Sequence, residues 1–362
     1  ALVEGVGPRL RQLLLARFGS CDAVLAASTE ELRQVQGIGP KLAKRIREAP
    51  STEEVQALVD DCRRNAVRIL TEADADYPPL LRETATPPSV LFARGEILPQ
   101  DRLAVAVVGT RHASSYGLSV ARNLAAALAR RGFTIVSGLA RGIDAAAHRG
   151  AIEAGGRTIA VLGSGVLNVY PPEHAELAAE IARCGAVVSE APLRAAPHAG
   201  NFPQRNRIIS GMSLGTIVVE AGSQSGALIT ARHAAEQNRE VFAVPGRIDR
   251  PHAKGCHRLI RDGAHLVDSA DDVLEALGPL PEPVPVETQA AGSSQDEKTP
   301  AIRHPAELQL NPVETKVLAA VEAAPTPIDE VIVRSGLETQ QVLATLSVLE
   351  MRRLVKRTSG TT

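Results

Sequence analysis

The chain has no tryptophan, three tyrosines and five phenylalanines in 362 residues, so few side chains can offer a flat face to a ring-shaped ligand. It contains neither GxxxxGK[ST] nor GxGxxG, which withdraws support from a P-loop triphosphate site and from a dinucleotide fingerprint. No apolar run reaches 18 residues and no basic, apolar leader opens the sequence, so neither a membrane span nor a secretory signal is expected and the cytoplasm is the expected address. The four cysteines, Cys21, Cys62, Cys184 and Cys256, lie too far apart for a zinc site or a disulfide scaffold, so they are expected to be buried thiols. No metal or cofactor is expected. A formal net charge of −1 provides no basic excess for phosphate, yet residues 101–275 carry 19 basic and 16 acidic side chains, a local +3. Any nucleic-acid site must therefore be a focused pocket and not a basic flank.

The length predicts two or three domains: 1–70 helical, 71–278 α/β, a linker over 279–311 and a small domain over 312–362. In the first, Gly5-Val6-Gly7-Pro8-Arg9-Leu10 returns after 32 residues as Gly37-Ile38-Gly39-Pro40-Lys41-Leu42. Two glycines for a tight turn and a proline to open a helix make a helix-hairpin-helix signal. Either the exposed N–H groups meet phosphate, aided by Lys41, Lys44, Arg45 and Arg47, or the hairpins only pack. Residues 279–311, rich in Pro, Glu, Ser and Gln, lack hydrophobic periodicity. Beyond them, helices near 312–323, 327–334 and 338–350 and a short strand at Leu354–Lys356 suggest a winged helix. Its third helix holds no Lys or Arg, which favours a protein-interaction or vestigial role over duplex binding.

From Leu103 onward, short apolar runs end in glycine: Val105–Val108 before Gly109, Thr134–Val136 before Gly138, Thr158–Leu162 before Gly163, Thr216–Val219 before Gly222, and Val241–Val244 before Gly246. This is the pattern of an open, doubly wound parallel sheet, whose ligands bind beyond the carboxyl ends of the strands.

Four stretches carry candidate chemistry. Gly109-Thr110-Arg111 ends one strand with hydroxyl and guanidinium donors suited to an anion. Ser137-Gly138-Leu139-Ala140-Arg141-Gly142-Ile143-Asp144 places Arg141 between two glycines, with Asp144 and His148 spaced to pair on a helix. Phe202-Pro203-Gln204-Arg205-Asn206-Arg207 sets one of the rare aromatics beside cations, as a single-strand platform requires. Phe202 is either that platform or a core residue, and Asn206 either reads a base edge or ties down a turn. Ser225-Gly226 opens a further helix, as an anion site or a plain cap. An enzyme reading would use Glu220 or Asp144 as acid or base on a nucleotide. A third reading makes the protein a duplex-DNA regulator acting through its terminal domains.

In this order, Val-Val-Gly-Thr-Arg, Ser-Gly-Leu-Ala-Arg-Gly-Ile-Asp, Phe-Pro-Gln-Arg-Asn-Arg-Ile-Ile-Ser-Gly, Ser-Gly-Ala-Leu-Ile-Thr-Ala and Val-Phe-Ala-Val-Pro-Gly resemble the DprA/Smf family. The resemblance is strong from Leu103 to about Val267. It implies an extended Rossmann-like fold flanked by an N-terminal SAM-like or helix-hairpin-helix domain and a C-terminal winged helix. It further implies a dimeric, non-catalytic single-stranded DNA binder that protects incoming DNA and loads the RecA recombinase during natural transformation. The implied pocket is Gly109, Thr110, Arg111, Ser137, Gly138, Arg141, Phe202, Arg205, Asn206, Arg207, Ser225 and Gly226. Relatives commonly carry a lysine just ahead of the Phe-Pro segment, where this chain offers Arg194 and His198. The dimer surface is expected around Ile260 and Leu266.

Overall fold

The computed structural model describes residue 3 and residues 5–278, 312–321, 327–337, 339–351 and 354–355. They fall in two compact units, Ala1–Ala270 and Asp271–Thr362. The first unit begins with helices Pro8–Phe18, Cys21–Ala26, Thr29–Arg33 and Pro40–Arg47, which bury Leu14, Leu32, Ile38 and Ile46 together. Gly5 and Gly37 adopt φ of +92° and +90°, the left-handed turn the repeat predicts. A Cβ on Gly5 would approach Leu42 to 3.2 Å and one on Gly37 would approach Leu10 to 3.1 Å. Leu10 and Leu42 occupy the same place in the two copies, so each hairpin turn seats the leucine of the other. Ser28 and Ser51 cap their helices reciprocally with Glu31 and Glu54, the S-x-x-E signature of a helix start.

The central sheet has nine strands: β1 (Val67–Thr71), β2 (Val90–Gly95), β3 (Ala104–Gly109), β4 (Thr134–Ser137), β5 (Thr158–Leu162), β6 (Ala186–Ser189), β7 (Gly215–Val219), β8 (Glu240–Ala243) and β9 (His265–Leu266). Their order is β1-β2-β6-β5-β4-β3-β7-β8-β9. The seven from β6 to β9 are parallel, while β1 on β2 and β2 on β6 are antiparallel. The five strands expected from glycine-ended apolar runs are β3, β4, β5, β7 and β8, each placed within one residue. Along β5 the side chains alternate between two cores, Ile159 and Val161 in one and Ala160 and Leu162 in the other. A sheet buried on both faces has no polar side to interrupt the run, which is why it reads as continuous apolar sequence. The chain winds outward from β3 through β4 and β5, then restarts at β7 and runs the opposite way through β8. That reversal opens a crevice between the ends of β3 and β7.

In the second unit, helices Pro312–Ala319, Ile328–Ser335 and Thr339–Met351 gather Val317, Val331, Val342 and Leu349. Leu354 and Val355 form a bend where a strand was expected, and Lys356 lies outside the described residues, as does the proposed linker 279–311. Among the described residues no helix is long and apolar enough to cross a membrane. The expectation of four buried thiols is corrected. Cys62 and Cys256 are buried and Cys184 partly so, but Cys21 is exposed, because the short helix Cys21–Ala26 turns Val24 inward instead.

Candidate functional site

The crevice encloses about 850 Å³. Three loops meet at its base through one residue. Thr110 donates its backbone N–H to Glu220 O at 2.8 Å and accepts from Ile143 N at 3.3 Å. Gly109 has no room for a side chain, since a Cβ there would lie 1.9 Å from Val219 O and 2.5 Å from Ile143 Cγ1. Leu139, two residues past β4, and Glu220, directly after β7, sit at φ of +58° and +50°. Non-glycine residues hold this conformation only where their surroundings impose it. Fixed backbone therefore underlies the site.

Of the twelve residues expected to form the pocket, Gly109, Thr110, Arg111, Phe202, Arg205, Asn206, Ser225 and Gly226 line the crevice. The expected convergence of four arginines is not what the geometry shows. Arg111 is exposed, and among the described residues no carboxylate pairs with it; its guanidinium stands 5.5 Å from the centre of the Phe202 ring. That ring is partly buried, with Tyr170 on another side at 5.8 Å between centroids. Arg205 lies beneath the floor, 7% exposed, donating to Gly138 O at 2.6 Å and to Val161 O. Arg141 turns outward to an ion pair with Glu173. Arg207 donates to Thr86 O at 2.6 Å and pairs with Glu190, away from the crevice. Ser137 is fully buried and donates its hydroxyl to Val107 O at 2.6 Å, joining β4 to β3. Gly138 serves Arg205, because a Cβ there would fall 2.5 Å from the guanidinium.

Helical geometry explains this sorting. Residues 201–211 form one helix, on which Phe202, Arg205, Asn206 and Ile209 share the face toward the crevice. Arg207 follows Arg205 by two residues, about 200° around the axis, and faces elsewhere. Asn206 donates to Gly226 O at 3.2 Å, tying its helix to the loop that opens the next one. Ser225 caps that helix by accepting from Ala227 N at 3.3 Å.

A further cation lining the crevice, outside the twelve expected residues, is Lys254, which is exposed. Gly255 brings it there: its N–H donates to Ala221 O at 2.7 Å, and a Cβ would stand 2.6 Å from that oxygen. The close approach draws the start of helix Lys254–Arg261 against the loop after β7. Neither Arg194 nor His198 lines the crevice; Arg194 pairs with Asp61 at 3.2 Å, and His198 Nδ1 accepts from Gly200 N at 3.2 Å.

Below the floor, burial pushes the Asp144 carboxyl upward, opposed by Arg205, the N–H groups of Ala140 and Gly138, and Arg111. Burial lowers the Arg205 guanidinium to about 10, with Asp144 pulling it up and Arg111 down. The expected pairing of Asp144 with His148 does not form. Asp144 accepts from Ala140 N at 3.2 Å, whereas His148 Nδ1 meets Thr158 Oγ1 at 2.7 Å. Thr158 gives its proton to Ile135 O at 2.7 Å, so His148 Nδ1 is the donor and Nε2 is left buried without a partner. Burial first, then His174, Arg205 and Arg149, lower His148 to about 3 from an ordinary 6.5. The unfolded chain takes up a proton below pH 6.5 that the folded chain refuses, so this contribution is present above 6.5 and lost as pH falls toward 3. Between pH 6.5 and 5 the loss is about 2 kcal/mol. Denaturant titration of His148→Gln should show a pH dependence flatter than that of the parent by this amount.

Glu220, the candidate acid or base, has both oxygens occupied by the N–H and O–H of Ser114. Among the described residues no group of three His, Cys, Asp or Glu is placed to hold a metal ion. The first hairpin, Gly5–Gly7, lines a separate cavity with Ser89, Glu190 and Gln204 of the α/β domain, and its two glycines are exposed.

Three family profiles match consecutive parts of the chain: SAM-like helix-hairpin-helix tandem over 2–49, DNA recombination-mediator protein A over 68–278, and DprA winged helix domain over 300–361. Protein Smf of Synechocystis is 37% identical over 99% of this chain and 95% of its own length. Protein Smf of Escherichia coli is 43% identical over 80% of this chain and 76% of its own. The X-ray structure of DNA processing protein A from Streptococcus pneumoniae superimposes with a TM-score of 0.65 at 34% identity, covering 75% of this chain and 94% of that one. A Helicobacter pylori DNA processing protein A, described for its single-stranded DNA binding mode, gives 0.53 at 28% identity over 58% of this chain and 95% of that one. With the DNA recombination-mediator protein A model matched over more than half of its length and a relative 37% identical across almost all of it, the chain belongs to the DNA recombination-mediator protein A (DprA/Smf) family.

Proposed function

We propose that the crevice binds single-stranded DNA, and that the protein acts without catalysis, protecting incoming DNA and loading the RecA recombinase during natural transformation in the cytoplasm. The observation that carries the reading is the Arg111 guanidinium held 5.5 Å from the Phe202 ring at the end of β3. A cation and an aromatic face side by side serve phosphate and base at once, and an unpaired strand offers both. The relative from Helicobacter pylori, described for single-stranded DNA binding, supports the choice of ligand. Dimerisation fits the far edge of the sheet, where β9 is two residues long and Leu266 is 50% exposed. Occupation of both Glu220 oxygens by Ser114 argues against the alternative in which this carboxylate acts on a nucleotide.

Anisotropy titration of a labelled oligothymidylate against a duplex of equal length tests the binding. Tighter binding of the strand is expected, and preference for the duplex would overturn the reading. Phe202→Ala should weaken strand binding by about 1–3 kcal/mol, whatever the base sequence. Recombinase loading predicts faster filament growth on strands coated with a single-strand-binding protein when this protein is added.

A further inference from the structure

A second cavity, of about 880 Å³, adjoins the crevice and shares His112 and His252 with it. We infer that this cavity holds the next nucleotides of the same strand, so that the binding site runs from the crevice past the two histidines to Tyr116 and Arg250. The inference rests on the single-strand reading of the crevice and extends it.

Its lining has the chemistry that such a continuation requires. Tyr116, 53% exposed, stands in the first turn of helix Ser115–Arg130, and its hydroxyl donates to Pro245 O at 3.2 Å. That bond pins the edge of the ring while half of its surface stays open, as a stacking face must. In a chain with so few aromatics, one large ring beside each of two adjoining cavities suits successive bases. The side chain of Arg250 is exposed, and among the described residues no carboxylate pairs with it. Arg247 pairs with its near neighbour Asp249 at 2.9 Å, an exposed pair that a phosphate can displace at little cost. The carboxylate in the lining is that of Glu220, taken up by the Ser114 N–H and O–H at the start of the helix that carries Tyr116. Its charge is thereby offset by the helix terminus and does not face an incoming phosphate unopposed.

Strand length separates this proposal from the one it rests on. The full-length protein is titrated with oligothymidylates of about four and about twelve nucleotides. Arg250→Ala and Tyr116→Ala should each weaken binding of the longer strand roughly fivefold or more and leave the shorter unchanged. Tyr116→Phe, which loses the Pro245 bond but keeps the ring, should bind both lengths as the parent does. With the longer strand, Arg250→Ala should also reduce the salt slope by about 0.7. Parental affinity of both alanine variants for both lengths would overturn the proposal, as would equal weakening at both lengths. If Arg111→Ala binds both lengths like the parent, the crevice reading itself is what fails.

Discussion

Replacing Arg205 with alanine is expected to destabilise the fold by about 3–5 kcal/mol, and to impair binding mainly as a consequence. The guanidinium donates to Gly138 O and Val161 O, carbonyls at the ends of β4 and β5, and it opposes the buried charge of Asp144. Its removal orphans two carbonyls and leaves the carboxyl in low dielectric without its main cationic neighbour. Arg205→Lys keeps a charge but loses the planar fork that reaches two acceptors, so an intermediate loss is expected. Gly138→Ala should produce much of the same damage by a different route, because its Cβ would sit 2.5 Å from the guanidinium. The two changes disrupt one contact, so their costs should be clearly less than additive in a double-mutant cycle read by denaturant melts. Additive costs would show that Arg205 is not held as described.

Arg111→Ala should have the opposite signature, with stability unchanged and strand affinity reduced roughly tenfold or more. The side chain is exposed, and no carboxylate among the described residues pairs with it, so the fold loses little when it goes. On the proposed strand binding, the variant loses a phosphate contact, worth about 0.7 in the single-strand salt slope, together with the cation beside Phe202. Arg111→Lys restores charge without the flat guanidinium, so the slope should recover more completely than the affinity. Because Arg111 touches the Phe202 ring, their combined loss should fall short of the sum of the single losses. Calorimetric melting beside the binding titration separates this variant from Arg205→Ala in one pair of measurements.

The sequence was most legible where burial leaves no choice. Strands covered on both faces must be apolar throughout, and a glycine must follow where backbone packs on backbone, so β3, β4, β5, β7 and β8 stand out. β6 escaped notice because it ends at Ser189-Glu190 without a glycine, whereas β4 and β8, equally short, run into one. β1 and β2 escaped because their outward positions are only partly covered and interrupt the apolar run. In the site, the motifs marked the right loops but not the direction of each side chain. Arg205 and Arg207 look equivalent in the sequence until the segment is known to be a helix, whose turn sends one to the crevice floor and the other to Glu190. Lys254 lay almost thirty residues beyond Gly226, and its signal was the neighbouring Gly255, whose close approach to Ala221 shows only in three dimensions.

The most direct test is the salt dependence of oligothymidylate affinity for the parent and for an Arg111→Ala, Lys254→Ala double variant. The slope of the double variant should be shallower than that of the parent by about 1.4, two cations at about 0.7 each, with melting unchanged. An identical slope in the two proteins would mean that phosphates do not reach this crevice, and the strand-binding account would be wrong.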